Sequence, residues 1–250
     1  MLKKAVLLTL SGILLAGPAT AQQASLQDVL NNYYEAVGGV DAWKDVQSIK
    51  ASGKRMMGPG MDAPFVMMAK RPGKIRVEFT VQGMTGVMAY DGQTAWMFMP
   101  FMGKTEPEVM PDFMAEEIKQ ESDLDGPLMG YKDDGHQLEL VGKEDADGTP
   151  AYKVKVTLKN GDVQYYYLDS EHYVPIKITG SRDMQGNIIN YEVTLSDYKG
   201  VGGLMMAHSI SSKAQGMAAQ DVITIEKVEL NTALDDASFS MPKAAAETKK

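Results

Sequence analysis

From Ile49 onward the chain alternates apolar and polar residues with period two, in a dozen segments separated by short turn-forming stretches. That pattern predicts strands over 47–57, 64–70, 74–80, 84–90, 94–99, 137–142, 151–158, 163–169, 173–180, 188–197, 204–213 and 221–230. Asn160-Gly161 between two of them suits a type I′ hairpin, which needs positive φ at both central residues. Asp91-Gly92, Asp147-Gly148 and Gln185-Gly186-Asn187 repeat the theme. Connections this short join antiparallel neighbours, because parallel strands need a crossover of a dozen residues or more. The expectation is one large antiparallel meander in one domain, without βαβ units.

Two helical signals interrupt the strand pattern. Ser25 and Asp28 are placed to cap a helix carrying Leu26, Val29, Leu30, Tyr33 and Val37, ended by Gly38-Gly39. A short helical segment with Trp43 follows over 40–46. The second interruption is 100–136, punctuated by Pro100, Pro107, Pro111 and Pro127. Within it, 112–122 reads as a helix with Phe113, Met114 and Ile118 on its apolar side, suited to cover one face of the sheet as a lid.

Apolarity is uneven across the strands. In Lys74-Ile75-Arg76-Val77-Glu78-Phe79 the alternation is clean, so Ile75, Val77 and Phe79 share one apolar face. In Ala95-Trp96-Met97-Phe98-Met99 both faces are apolar, Trp96 and Phe98 on one, Met97 and Met99 on the other. Such a strand must be covered on both sides or line a cavity on one. Thirteen of the 19 methionines fall between Met56 and Met129. Methionine adapts to variable apolar partners better than it specifies a core. A cavity lined in part by Ile75, Val77, Phe79, Met88, Met97 and Met99 is therefore expected.

Lys3-Lys4, an apolar run to Ala16 and the small-residue site Ala19-Thr20-Ala21 read as a cleaved secretory signal over 1–21. Its removal takes two lysines and no acids, moving the net charge from −8 to −10. The acidic balance argues against nucleic acid and against adhesion to anionic head groups. The absence of cysteine excludes disulfides, a lipid-bearing cysteine and thiolate chemistry.

Catalytic and metal signatures are sparse. His136, His172 and His208 lie in separate segments, and no nucleophile elbow, zinc helix or P-loop occurs. Asp123-Leu124-Asp125-Gly126 and Asp145-Ala146-Asp147-Gly148 open like calcium loops but lack the remaining ligands, so they read as turns. Met97-x-Met99-x-x-Met102 has thioethers that could hold Cu(I), with no His or Cys beside them. No enzyme activity, metal or cofactor is expected, and the copper reading stands only as an outlying alternative.

Lys70-Arg71-Pro72, then Asp91-Gly92-Gln93-Thr94-Ala95-Trp96 followed by Met97-Phe98-Met99-Pro100-Phe101, resembles the LolA-like periplasmic carriers of outer-membrane lipoproteins. The ending Asp235-Asp236-Ala237-Ser238-Phe239-Ser240-Met241-Pro242 is similar to that family's C-terminal segment. The resemblance implies a mainly β fold: one antiparallel sheet curved into an incomplete, half-open barrel over 22–243, with a helical lid and a tail over 244–250. It implies an apolar cavity for lipoprotein acyl chains or another lipid, served by membrane-bound donor and acceptor proteins. In such carriers the arginine at the position of Arg71 bonds lid carbonyls. The ligand-contacting set is then Arg71, Ile75, Val77, Phe79, Met88, Trp96, Met97, Phe98 and Met99, under Phe113, Met114 and Ile118. The chain departs from the family where Met stands for aromatics at 97 and 99. Two functions stay open: a monomeric periplasmic carrier, or an envelope-stress or lipid sensor of the same fold that signals through a protein partner.

Overall fold

In the computed structural model, which describes residues 24–56, 62–184, 186–216 and 221–242, thirteen strands form one antiparallel sheet. The first half comprises β1 (Ser48–Met56), β2 (Asp62–Lys70), β3 (Lys74–Val81), β4 (Met84–Tyr90), β5 (Ala95–Phe98) and β6 (Glu108–Val109). The second comprises β7 (Gln137–Ala146), β8 (Thr149–Thr157), β9 (Val163–Asp169), β10 (Pro175–Met184), β11 (Asn187–Val201), β12 (Leu204–Ala214) and β13 (Asp221–Leu230). Each strand pairs with its sequence neighbour, except that β6 and β7 do not meet and β1 pairs with β13. The two halves are thus joined at the seam between the first and last strands, and the sheet stays open at β6 and β7. The expected signal segment 1–21 and tail 244–250 lie outside the described residues.

Turn chemistry fixes the register. Gln82-Gly83 and Asp147-Gly148 each take positive φ at both positions, as a two-residue I′ hairpin requires, and Gly202-Gly203 does the same. Asn160-Gly161 does not form the expected I′ turn. Only Gly161 has positive φ, and the loop closes instead through Leu158 N–H to Asp162 O, with the Asn160 amide donating to Asp162. At the seam the register slips by a bulge between Ser52 and Gly53, and a Cβ at Gly53 would lie 1.9 Å from Thr224 O. Only glycine permits that approach, and the bulge bends the sheet where the two halves join.

The α-helices among the described residues are α1 (Leu26–Ala36), α2 (Val40–Lys44), α3 (Asp112–Glu121), α4 (Gly126–Met129) and α5 (Tyr131–Asp134). Ser25 and Asp28 form the expected capping box at the start of α1. The Trp43 indole of α2 donates to Val37 O, tying the α1–α2 turn together. The inserted segment begins with the expected helix, and continues through α4 and α5, whose four-residue lengths carry too little periodicity to be read.

Helices cover one face of the sheet in three patches. Met114, Ala115 and Ile118 of α3 pack on Ala69, Ile75, Met88, Ala95 and Met97. Val29 of α1 and Leu128 of α4 pack on Val154, Val156 and Leu168. Trp43 and Val46 meet Ile49, Leu204 and Leu230 across the seam. Burying a side chain such as Ile118 stabilises by about 1.5–3 kcal/mol. On the opposite, outer face, Val87, Ala89, Trp96 and Phe98 pack together under Met241. The Trp96 indole donates to Phe239 O at 2.8 Å, Arg76 lies over the Trp96 ring and donates to Ser238 O, and Lys70 and Lys74 hold Asp236. These two lysines depress the Asp236 carboxyl to about 2. The C-terminal segment is therefore a strap across the back of β3–β5.

Candidate functional site

Three of the expected contact residues from the first half, Ile75, Phe79 and Met99, are buried on the helix-covered face, and Val77, Met88 and Met97 are half-buried there. Met114 and Ile118 of α3 close over Ile75, Val77, Met88 and Met97, while Phe65, Phe101, Ile223 and Ile225 pack around Phe79 and Met99. Phe113, also assigned to the lid, is half-buried outside that cluster. Trp96 and Phe98 face the other way and are covered by the strap, a placement already implied by alternation along β5. In this half Met99 and Met110 are buried, while Met67, Met88, Met97 and Met114 are half-buried. Met102 is 70% exposed and does not share the surroundings of Met97 and Met99.

Open space lies on the far side of α3. A cavity of about 630 Å³ separates the polar side of the helix from β8–β11. Its floor is Leu158, Tyr166, Ile178, Tyr191 and Val193, and its roof carries Glu117, Gln120 and Glu121. The strand register explains the floor: Ile178 pairs with both Tyr166 and Val193, so the three side chains stand in one row. Gly180 pairs with Tyr191, and a Cβ there would lie 2.5 Å from the Tyr191 hydroxyl. The glycine lets that ring lie across β10 as a wall. Gln164 Nε2 donates to the Tyr191 hydroxyl at 3.0 Å and fixes it. A volume of this size is typical of small-ligand sites, which span roughly 300–1,000 Å³.

One ion pair bridges roof and floor. Arg182 of β10 meets Glu117 of α3 at 2.5 Å and stacks over the Tyr191 ring at 4.5 Å. Glu121 lies one turn beyond Glu117 on the same helix face. Its carboxylate is exposed to water in the cavity, yet the protein around that cavity displaces part of its bulk solvation. That loss of bulk solvation, added to by Glu117 and opposed by Arg182 and Arg55, lifts the carboxyl to about 7. Burial likewise raises the Tyr166 phenol, which stays neutral.

Arg71 holds the inserted segment at a second point. Its Nη1 and Nη2 donate to the two oxygens of Asp125 at 2.7 Å each, just before α4. Its Nε and Nη2 also donate to the carbonyls of Val46 and Trp43, at 2.8 and 3.2 Å. The expected contacts to lid carbonyls are replaced: the carbonyls belong to the α2 region, and the inserted segment is gripped through a carboxylate. A bidentate carboxylate holds a guanidinium more firmly than single carbonyls do, because both groups are charged and planar. The Asp125 hydrogen bonds push the guanidinium further up from its already high value, against the effect of burial.

The histidines are scattered. His208 is buried with its Nδ1 at 2.9 Å from Met206 O, His136 Nδ1 accepts from Lys159 N–H, and His172 sits beside Asp169 at a surface turn. Among the described residues no group of three or more His, Asp or Glu side chains could hold a metal ion. In the second Asp-x-Asp-Gly run Asp145 caps its own turn by accepting from Gly148 N–H.

The sequence reading missed the cavity floor because β8–β11 alternate cleanly and look like ordinary half-buried strands. Two signals were present: carboxylates four apart on the polar face of a helix otherwise apolar at Met114 and Ile118, and a strand glycine, Gly180, in a run able to face a tyrosine.

With this geometry in view, comparisons with known proteins place the fold. Residues 80–243, about two-thirds of the chain, match a family model described as "Uncharacterized protein". Among solved structures, a Vibrio parahaemolyticus domain described as outer membrane lipoprotein-sorting is 14% identical with a TM-score of 0.56, covering 85% of this chain and 94% of that one. A LolA superfamily protein from Nitrosomonas europaea gives 14% identity and 0.56, covering 87% and 98%. A DUF1329 family protein from Desulfovibrio piger gives 14% and 0.57, covering 86% and 96%. At such identity the likeness concerns the fold, which is LolA-like: mainly β, one open antiparallel sheet, few helices. Comparison with curated protein sequences finds no match.

Two outcomes follow for the site. Arg71→Leu and Asp125→Asn should each loosen the inserted segment and raise hydrophobic-dye binding by the empty protein. In a double-mutant cycle by chemical denaturation their coupling should be about 1–3 kcal/mol; zero coupling would remove the latch. Glu121 carries a carboxyl whose folded-state value lies above its ordinary 4.5. Its charge therefore costs nothing at low pH, and its cost grows from about 4.5 and is complete above about 7. Glu121→Gln should leave stability unchanged near pH 4 and raise it near pH 8. Equal melting temperatures of variant and wild type at the higher pH would contradict this.

Proposed function

We propose that this chain, which belongs to the family whose model matches residues 80–243, carries an apolar or amphiphilic ligand in the cavity between α3 and β8–β11. One observation supports this most: the inserted segment leaves a half-open cavity over an aromatic and aliphatic floor, whereas over β2–β5 the apolar side of α3 packs directly on the sheet. The solved structures with this fold include one described as lipoprotein-sorting and one as a LolA superfamily protein. By analogy the ligand is a lipid or the acyl part of a lipoprotein, and the protein works as a non-enzymatic carrier. The Lys3-Lys4 and Ala19-Thr20-Ala21 signals support a periplasmic setting. No helix among the described residues is long and apolar enough to cross a membrane.

The physics suits reversible carriage. Each methylene withdrawn from water contributes about 0.8 kcal/mol. A chain of moderate length therefore binds with useful affinity, while the Arg182–Glu117 and Arg71–Asp125 contacts give the cover two release points of modest strength. Those two pairs grip the inserted segment at separate points, one on α3 and one just before α4.

Filling the cavity should block binding. Val193→Trp or Ile178→Trp should weaken a fluorescent long-chain alcohol by roughly tenfold or more, the loss of about two buried methylenes. Met97→Leu, in the packed half, should leave binding unchanged. A folded tryptophan variant that binds as tightly as wild type would overturn this assignment of the site, as would a loss confined to Met97→Leu.

A further inference from the structure

The cavity's charges are not balanced in the way an anionic ligand would need. Two arginines lie near enough to Glu121 to influence its carboxyl, and each already has a dedicated acid. Arg182 is held by Glu117 at 2.5 Å. Arg55, on β1, is gripped by Asp221 of β13 through Nε at 2.9 Å and Nη2 at 2.7 Å. Lys119 on the roof is engaged with Glu116 at 2.8 Å, and Lys159 stands at the exposed rim. Glu121 is the acid of the roof left over. Among the described residues it has neither a hydrogen-bond nor an ion-pair partner, and it lines the half-open cavity from the last turn of α3 with its side chain exposed to the water there.

The neighbouring walls favour a cation. Tyr166 and Tyr191 line the cavity, and aromatic faces attract ammonium groups within about 6 Å. The Tyr191 ring already takes the Arg182 guanidinium on one side, which shows the wall can stabilise positive charge. A carboxylate end lying on the floor would meet Glu121, and the cation open to it that is unpaired among the described residues, Lys159, stands out at the exposed rim. A protonated amine would instead supply the missing counter-charge with no existing pair broken, and its chain would lie on Ile178 and Val193.

We infer that the cavity selects amphiphiles whose polar end is a protonated amine, with Glu121 as counter-ion beside Tyr166 and Tyr191. This rests on the carrier reading and narrows it to a ligand class. A protonated amine hydrogen-bonded to a carboxylate and set beside aromatic faces discriminates by roughly tenfold over an uncharged or anionic end of the same chain.

The test is competition near pH 8, where Glu121 is above its raised value of about 7 and an alkylamine is still protonated. Dodecylamine, dodecanol and dodecanoate would displace a neutral fluorescent chain from the intact protein, each below its micelle concentration. Dodecylamine should act at roughly tenfold lower concentration than dodecanoate. Glu121→Gln should abolish that preference and leave dodecanol unaffected. Glu171→Gln, which removes the same charge from an exposed turn, should retain it. Equal displacement by amine and carboxylate, stronger displacement by carboxylate, or equal loss in the Glu171 control would each overturn the head-group assignment while leaving the carrier reading standing. Displacement by none of the three, with the reporter itself unbound, would instead sink the carrier reading and this inference with it.

Discussion

The pairing of β1 with β13 governs the rest of the molecule. Because the first and last strands meet at the seam, the free edges of the sheet belong to β6 and β7, in the middle of the chain. The segment between those edges must travel from one side of the open sheet to the other. It crosses the helix-covered face, so a cover is built into the connectivity and needs no separate domain. The seam itself depends on local detail. Gly53 admits the Thr224 carbonyl where no side chain could fit, Asn231 accepts from Gln47 N–H, and the Ser48 hydroxyl donates to Thr232 O. These bonds fix the strand ends and with them the curvature over which α3 lies.

Curvature and cover together divide the inner face into two unequal regions. Where the apolar side of α3 faces β2–β5, methionines take up much of the irregular volume. An unbranched, polarizable side chain fits that task, and the same property that suits a promiscuous surface suits a filled gap. Where the polar side of α3 faces β8–β11, its carboxylates cannot pack against the floor without losing solvation. The helix stands off, Arg182 bridges the gap to Glu117, and a cavity persists. The cavity is thus a consequence of an amphipathic helix laid across a sheet that is apolar on both sides of it.

Much of this was legible in the residues. The strand segments, the Ser25 cap, the inserted helix and the LolA-like layout all follow from periodicity, capping chemistry and three short motifs. What could not be read depends on pairing between distant segments. The seam sets Ile49 beside Leu230, and no local pattern announces it. The partners of Arg71 are another case: a carboxylate some fifty residues along the chain, Asp125, was indistinguishable in sequence from the acids of a turn. The packing of α3 over part of the methionine cluster is a further case, since composition reports what a surface can accommodate and not whether a helix lies on it. The Asn160-Gly161 turn likewise took a longer loop because the Asn160 side chain bonded Asp162, a competition that dipeptide preference does not capture.

The account turns on where an apolar ligand lies: against β8–β11 beneath the polar side of α3, and not among the methionines of β2–β5. Photo-crosslinking with a neutral long-chain diazirine probe, followed by peptide mapping, measures this directly. The account predicts labels on the strands carrying Tyr166, Ile178 and Val193, with the helix segment around Glu117 and Glu121 labelled from above. Labelling concentrated on Met67, Met88 and Met97, with those floor residues untouched, would contradict it.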